Sequence, residues 1–118
     1  MSLQREASSN QQLFDALADP TRRSIIELLA ANGQMAATEI YNRFPLTNPA
    51  VSQHLKVLRL AELVRIEKDA QRHIYRINTS KMRDLEGWIK RTTDQWSERF
   101  DQLDTALEAE KKQSRKRR

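Results

Sequence analysis

A chain of 118 residues with 38% apolar side chains, 31% charged ones and no cysteine is the size of one domain around one core, and it can form no disulfide, thiolate nucleophile or thiolate metal site. No stretch approaches the ~20 apolar residues of a membrane span, and Met1-Ser2-Leu3-Gln4-Arg5-Glu6 lacks the apolar run of a secretory signal, so the expected location is the cytoplasm. The net charge of +5 is uneven: residues 111–118 carry six basic side chains and no acid, whereas residues 1–110 hold 15 basic against 16 acidic.

Within the body, residues 43–83 hold nine basic side chains (Arg43, Lys56, Arg59, Arg65, Lys68, Arg72, Arg76, Lys81, Arg83) against Glu62, Glu67 and Asp69. Such a local excess is what an electrostatic footprint on a polyanion requires.

Residues 1–8 are polar and read as a flexible N-terminus. Leu13, Phe14 and Leu17 fall at helical spacing and predict a first helix over about 9–18. Asp19-Pro20 starts a second over about 20–31, because a carboxylate accepts from the free amides of a helix start and proline has no amide to lose there. Asn32-Gly33 ends it, with Ile25, Ile26 and Leu29 as its buried stripe. A third helix over about 37–44 carries Ile40 and Phe44 and stops before Pro45, whose ring disfavours a helical residue ahead of it. Pro45-Leu46-Thr47 then makes a short connection to Asn48-Pro49, a second cap-and-proline signal that opens a fourth helix through about Ala61.

At 100° per residue, Val51, Leu55 and Leu58 of that fourth helix cluster within about 60°, while Pro49, Ser52, Gln53, Lys56 and Arg59 take the other side. One face packs and the other presents donors, which is the layout of the second helix of a helix-turn-helix. After Leu63 the period changes to two: Val64, Ile66 and Lys68 alternate with Arg65 and Glu67, Asp69-Ala70-Gln71 interrupts, and His73, Tyr75 and Ile77 alternate with Ile74 and Arg76. This predicts a β-hairpin wing, with a turn longer or less regular than two residues because it lacks glycine. Thr79-Ser80 offers caps for a last helix to about residue 109 carrying Met82, Leu85, Ile89, Trp96, Phe100, Leu103 and Leu107, with Trp88 beside the stripe. So long a stripe exceeds what a small body can cover, so the expectation is a homodimer through the first and last helices, with Leu13, Phe14, Leu17, Trp96, Phe100, Leu103 and Leu107 at the interface.

A helix that reads a duplex needs short polar side chains near its leading end and cations where phosphates flank it. Asn48, Ser52 and Gln53 suit base edges, Pro49 suits apolar contact with a thymine methyl, and Lys56 and Arg59 suit the backbone. In the wing, Arg72 at the tip is the leading candidate for a phosphate or the minor groove, ahead of Arg65, Lys68 and Arg76. His54 sits beside the packed face and reads as structural, as does His73. A winged-helix protein-interaction module without DNA binding remains open, and so does single-stranded RNA binding, although the only aromatic in the patch, Tyr75, is expected to face the core. Enzyme chemistry finds no support. Ser52 and His54 point about 200° apart on a helix, and with only Gly33 and Gly87 there is no phosphate-cradling loop.

Leu17-Ala18-Asp19-Pro20-Thr21-Arg22-Arg23, then Ala50-Val51-Ser52-Gln53-His54-Leu55-Lys56-Val57-Leu58, then Ala61-Glu62-Leu63-Val64 with Tyr75, together resemble the ArsR/SmtB-type family of bacterial repressors over about residues 12–108. The resemblance implies a homodimer on a palindromic operator that represses transcription until an inducer weakens binding. It puts Asn48, Ser52, Gln53 and Lys56 in the recognition helix and Arg72 in the wing. Metal-sensing members carry Cys-x-Cys in the helix that here reads Glu39-Ile40-Tyr41-Asn42-Arg43, so the ligand positions hold Tyr41 and Arg43, and residues 79–109 hold no histidine for a zinc site. With Trp88, Trp96 and Asp101 in the last helix, the chain resembles the non-metal-sensing branch, so no cofactor or metal is expected, and the partners are double-stranded DNA, a second copy and an unidentified small-molecule inducer. The fold expected is α+β, mainly helical, a winged helix-turn-helix of five helices and a β-hairpin wing over residues 9–109, followed by a basic tail over 110–118.

Overall fold

The polar start of the chain is helical. A computed structural model describes the backbone of residues 2–116 and the side chains of 8–114, and the first helix, α1, spans Ser2–Leu17 instead of starting near residue 9. Residues 2–8 contain no glycine or proline and several good helix formers, so the helix extends backward from the turns that Leu13 and Ala16 anchor. Two cations then build a corner. Arg22 donates from Nε to the Ala16 carbonyl at 2.6 Å and from Nη2 to that of Asp15 at 2.9 Å, and Arg23 Nη1 donates to the Leu17 carbonyl at 2.6 Å. These are the carbonyls a helix end leaves unpaired, and cations there also suit the helix dipole.

Helix α2, Pro20–Asn32, starts and stops as its residues dictate. Asp19 Oδ2 accepts from the Arg22 amide at 3.0 Å, and that backbone bond, helped by the charges of His54 and Arg22, holds the carboxyl below its usual pKa. Gly33, at φ 85°, closes the helix by donating to the Leu29 carbonyl at 2.8 Å. A strand that the sequence did not announce follows: β1, Gln34–Ala36. Helix α3, Ala37–Tyr41, ends earlier than residue 44, as the next amides of Arg43 and Phe44 reach back only three residues before Pro45 forbids continuation.

Helix α4, Asn48–Leu60, is capped by Thr47 and not by Asn48: the Thr47 hydroxyl accepts from the Ala50 amide at 3.3 Å, which puts Asn48 in the first helical turn. Strands β2, Val64–Asp69, and β3, Arg72–Ile77, form the wing with Asp69 opposite Arg72, so the turn is two residues after all, with Ala70 at φ 56° in place of the missing glycine. The sheet order is β1-β3-β2, all antiparallel. Since β3 is central, its best-buried residue is Ile74, opposite Ala36, while Tyr75 is only half-buried against Met35 and Ile66, a correction to the face expected for it. That burial, with Tyr41 nearby, pushes the Tyr75 hydroxyl above its usual pKa.

The end of α4 stores strain. The Glu62 amide donates to the Arg59 carbonyl at 2.9 Å and the Leu63 amide to that of Leu58 at 3.0 Å, the paired bonds of a Schellman stop, but the left-handed position that glycine favours is held by Glu62 at φ 61°. Glu62→Gly is therefore expected to stabilise the protein by about 0.5–1 kcal/mol, the left-handed cost of an L-residue less the entropy of glycine. Thermal unfolding should show a midpoint a few degrees higher, and an unchanged or lower midpoint contradicts this account.

Residues 1–83 and 84–118 are separate compact units. In the first, Leu13, Ile25, Leu29, Ile40, Leu55 and Leu58 are almost wholly buried. The last helix, α5, spans Thr79–Lys116 and is capped by Asn78, whose Oδ1 accepts from the Lys81 amide at 3.5 Å, and not by Thr79 or Ser80. It continues through residues 110–116, which were read as a tail outside the helix, because Lys, Gln and Arg are good helix formers and cations suit a helix C-terminus. Residues 117 and 118 lie outside the described residues. In the second unit, Trp88, Ile89, Trp96, Phe100, Leu103 and Leu107 are exposed, with Trp96 at 69%.

Candidate nucleic-acid interface

The amphipathic reading of α4 holds residue by residue. Val51, Leu55 and Leu58 are buried, and Asn48, Pro49, Ser52, Gln53, Lys56 and Arg59 are all exposed. None of these six has a side-chain hydrogen bond or ion pair among the described residues. The face thus offers two amides, a hydroxyl and two cations without an internal partner to displace.

Arg72, beside the two-residue turn of the wing, has Nη2 at 3.4 Å from Glu39 Oε1, with both side chains over half exposed. The same oxygen accepts from the Ala36 amide at 3.1 Å. A long, exposed pair of this kind is worth under about 1 kcal/mol, so a phosphate can replace Glu39. Elsewhere in the wing, Arg65 and Arg76 stand directly opposite each other; Arg76 is held by Glu67 at 2.6 Å, and Arg65 has no ion pair among the described residues. His73 is exposed opposite Lys68.

His54 is half-buried on the flank of α4. Its Nδ1 lies 3.4 Å from Arg22 Nη1 and 3.8 Å from Asp19 Oδ2. Sequence reading placed His54 near the packed face but not beside Arg22; the signal available was the Asp19-Pro20-Thr21-Arg22 start of α2, which showed the cap and not the reach of the arginine.

The residues expected at a dimer interface divide. Leu13, at 1% exposure, belongs to the chain's own core and offers nothing to a partner, because α1 turns it inward with Ala16. Phe14 and Leu17 are half-buried. Trp96, Phe100, Leu103 and Leu107 are exposed on α5. Tyr41 is half-buried and Arg43 exposed, and neither supplies a soft-metal donor. Among the described residues, no three His, Cys, Asp or Glu side chains group as a metal site, and no helix is long and apolar enough to cross a membrane.

Two helices in a helix-turn-helix, the second with an open polar face, and a basic hairpin beside them define a winged-helix regulator of transcription that binds DNA. Comparison with known proteins agrees. Residues 17–67 match the family model of a helix-turn-helix domain. The chain is 36% identical over 77 residues to the transcriptional repressor SdpR of Bacillus subtilis (strain 168), covering 65% of this chain and 84% of that protein. It is 33% identical over 73 residues to an arsenical resistance operon repressor of Staphylococcus aureus, covering 62% and 69%. Among solved structures, NolR from Sinorhizobium fredii is 31% identical with a TM-score of 0.59, over 76% of this chain and 92% of that one. An ArsR-like transcriptional regulator from Rhodococcus sp. RHA1, at 23% identity and a TM-score of 0.74 over 83% and 92%, shares the fold. The chain belongs to the ArsR-type family of helix-turn-helix transcriptional regulators; it is a regulator and not an enzyme.

Proposed function

We propose that this protein is a cytoplasmic homodimer that binds a palindromic operator and represses transcription until an unidentified small-molecule inducer weakens the complex. The observation that carries the reading is the unengaged polar face of α4. Asn48, Ser52 and Gln53 address base edges, Pro49 a thymine methyl, and Lys56 and Arg59 the flanking phosphates, while Arg72 leaves Glu39 for the backbone beside the wing. A second copy covers the apolar stripe of α5 and, on α1, Phe14 and Leu17, setting two recognition helices about 34 Å apart, one helical turn of DNA. The basic residues 111–118 add a sequence-independent attraction. Two of the relatives are named as arsenical resistance operon repressors. With no cysteine in the chain and Tyr41 and Arg43 at the ligand positions, the donor set here does not fit a soft metal, which supports a signal of another kind.

Selection of bound duplexes from a random pool tests the reading: an enriched palindrome supports it, and an unenriched pool favours a protein-interaction module. On the selected duplex, log affinity should fall linearly with log salt, and Arg72→Ala should flatten that slope by about one. A slope that Arg72→Ala leaves unchanged removes Arg72 from the interface.

A further inference from the structure

Helix α4 is held to the body by apolar contacts of Val51, Leu55 and Leu58, and such contacts carry no direction. A single directional tie supplements them. Among the described residues, the side-chain hydrogen bonds and ion pairs linking α4 to another element all converge on one atom, His54 Nδ1. The Arg22 guanidinium that meets it is itself fixed, since Nε and Nη2 are spent on the Ala16 and Asp15 carbonyls, leaving Nη1 aimed at the imidazole. Arginine only donates, so Nδ1 must accept and the ring proton sits on Nε2. Around the helix axis, His54 lies about 160–200° from Ser52 and Lys56, so it cannot share their docking face.

We propose that Arg22 and His54 form a polar joint that sets the orientation of the recognition helix on the α1–α2 corner, making both of them positioning residues for DNA docking. Base-edge recognition tolerates errors of only about 0.5 Å and 10–20°, so losing the joint blurs sequence reading without removing a contact to DNA. The inference rests on the DNA-binding reading above.

Asparagine places a polar atom where Nδ1 stands, and glutamine places it near Nε2, so His54→Asn and His54→Gln separate the joint from mere bulk. The probe is the palindromic duplex that the wild-type protein selects from a random pool, compared with an unrelated duplex of equal length. His54→Gln is expected to lose about tenfold on the selected duplex and little on the unrelated one. Its salt slope stays unchanged, and His54→Asn returns to within about threefold of wild type. Circular dichroism checks folding, and Arg22→Lys, which keeps the charge but not the fork, substitutes for a variant that fails to fold. Wild-type affinity in His54→Gln, equal losses in both variants, or a slope reduced by about one overturns the proposal. The joint also has a readout free of DNA: imidazole ¹⁵N shifts should report a hydrogen-bonded, unprotonated Nδ1 that changes in Arg22→Lys. A spectrum without that signature overturns the joint, whereas an unenriched pool beside a positive spectrum overturns the DNA reading and leaves the joint in place.

Discussion

Replacing Phe100 and Leu103 together by glutamate is expected to leave the protein monomeric and to cost it about 100-fold or more in affinity for a palindromic duplex. The stripe on α5 leaves Trp96, Phe100, Leu103 and Leu107 in water, and each large apolar side chain covered by a partner contributes about 1.5–3 kcal/mol before the cost of association. Its spacing suits a second helix: Ile89 and Phe100, Thr92 and Leu103, and Trp96 and Leu107 are each eleven residues apart. An 11-residue repeat keeps one seam on a nearly straight or slightly right-handed pair, where a strict seven-residue repeat would wind the other way. Four glutamates brought to that seam by a two-fold axis repel one another and strand their charges in an apolar surround. The duplex affinity follows because a dimer engages its second half-site at high effective concentration, an advantage of about 10²–10⁴ that a monomer lacks. Sedimentation equilibrium reads the mass and a duplex titration reads the affinity. Persistence of a dimer in the double variant, or a wild-type monomer, rules out this seam.

What could be read from the residues follows the reach of the signals. Helix α2 was legible because its cap, its proline and its closing glycine lie within a few residues of the ends they govern, and the wing was legible because its alternation is strictly local. Strand β1 was not. It has three residues, too few for a period, and exists because β3, some forty positions away, offers Ile74, Tyr75 and Arg76 as partners. The same distance hid the Arg22–His54 contact, which joins residues 32 apart. Leu13 was misassigned for a related reason: an apolar stripe announces that it will be buried but not by which chain, and only the packing of α1 shows that Leu13 turns inward while Phe14 and Leu17 stay half-buried. The polar face of α4 was readable in full because it depends on angle alone.

Gln53→Ala should have the sharpest effect on sequence preference. A glutamine amide can pair with adenine through N6 and N7 together, and a good bidentate contact is worth about 1–3 kcal/mol against the wrong base. In a homodimer the loss occurs in both half-sites, so the selected duplex should bind about 30- to 10⁴-fold more weakly. Three other quantities should stay still. Gln53 is exposed and unbonded, so stability should hold within about 0.5 kcal/mol. It is uncharged, so the salt slope and the affinity for unrelated duplex should not move. Lys56→Ala supplies the contrast: it weakens all duplexes alike and flattens the slope by about one. Repeating the selection with Gln53→Ala should relax the preference at one symmetric pair of positions and leave the rest of the palindrome intact. If the variant recovers the same sequence with the same affinity, the groove-facing side of α4 is not what reads the bases, and specificity has to be sought in the wing or in the shape of the duplex.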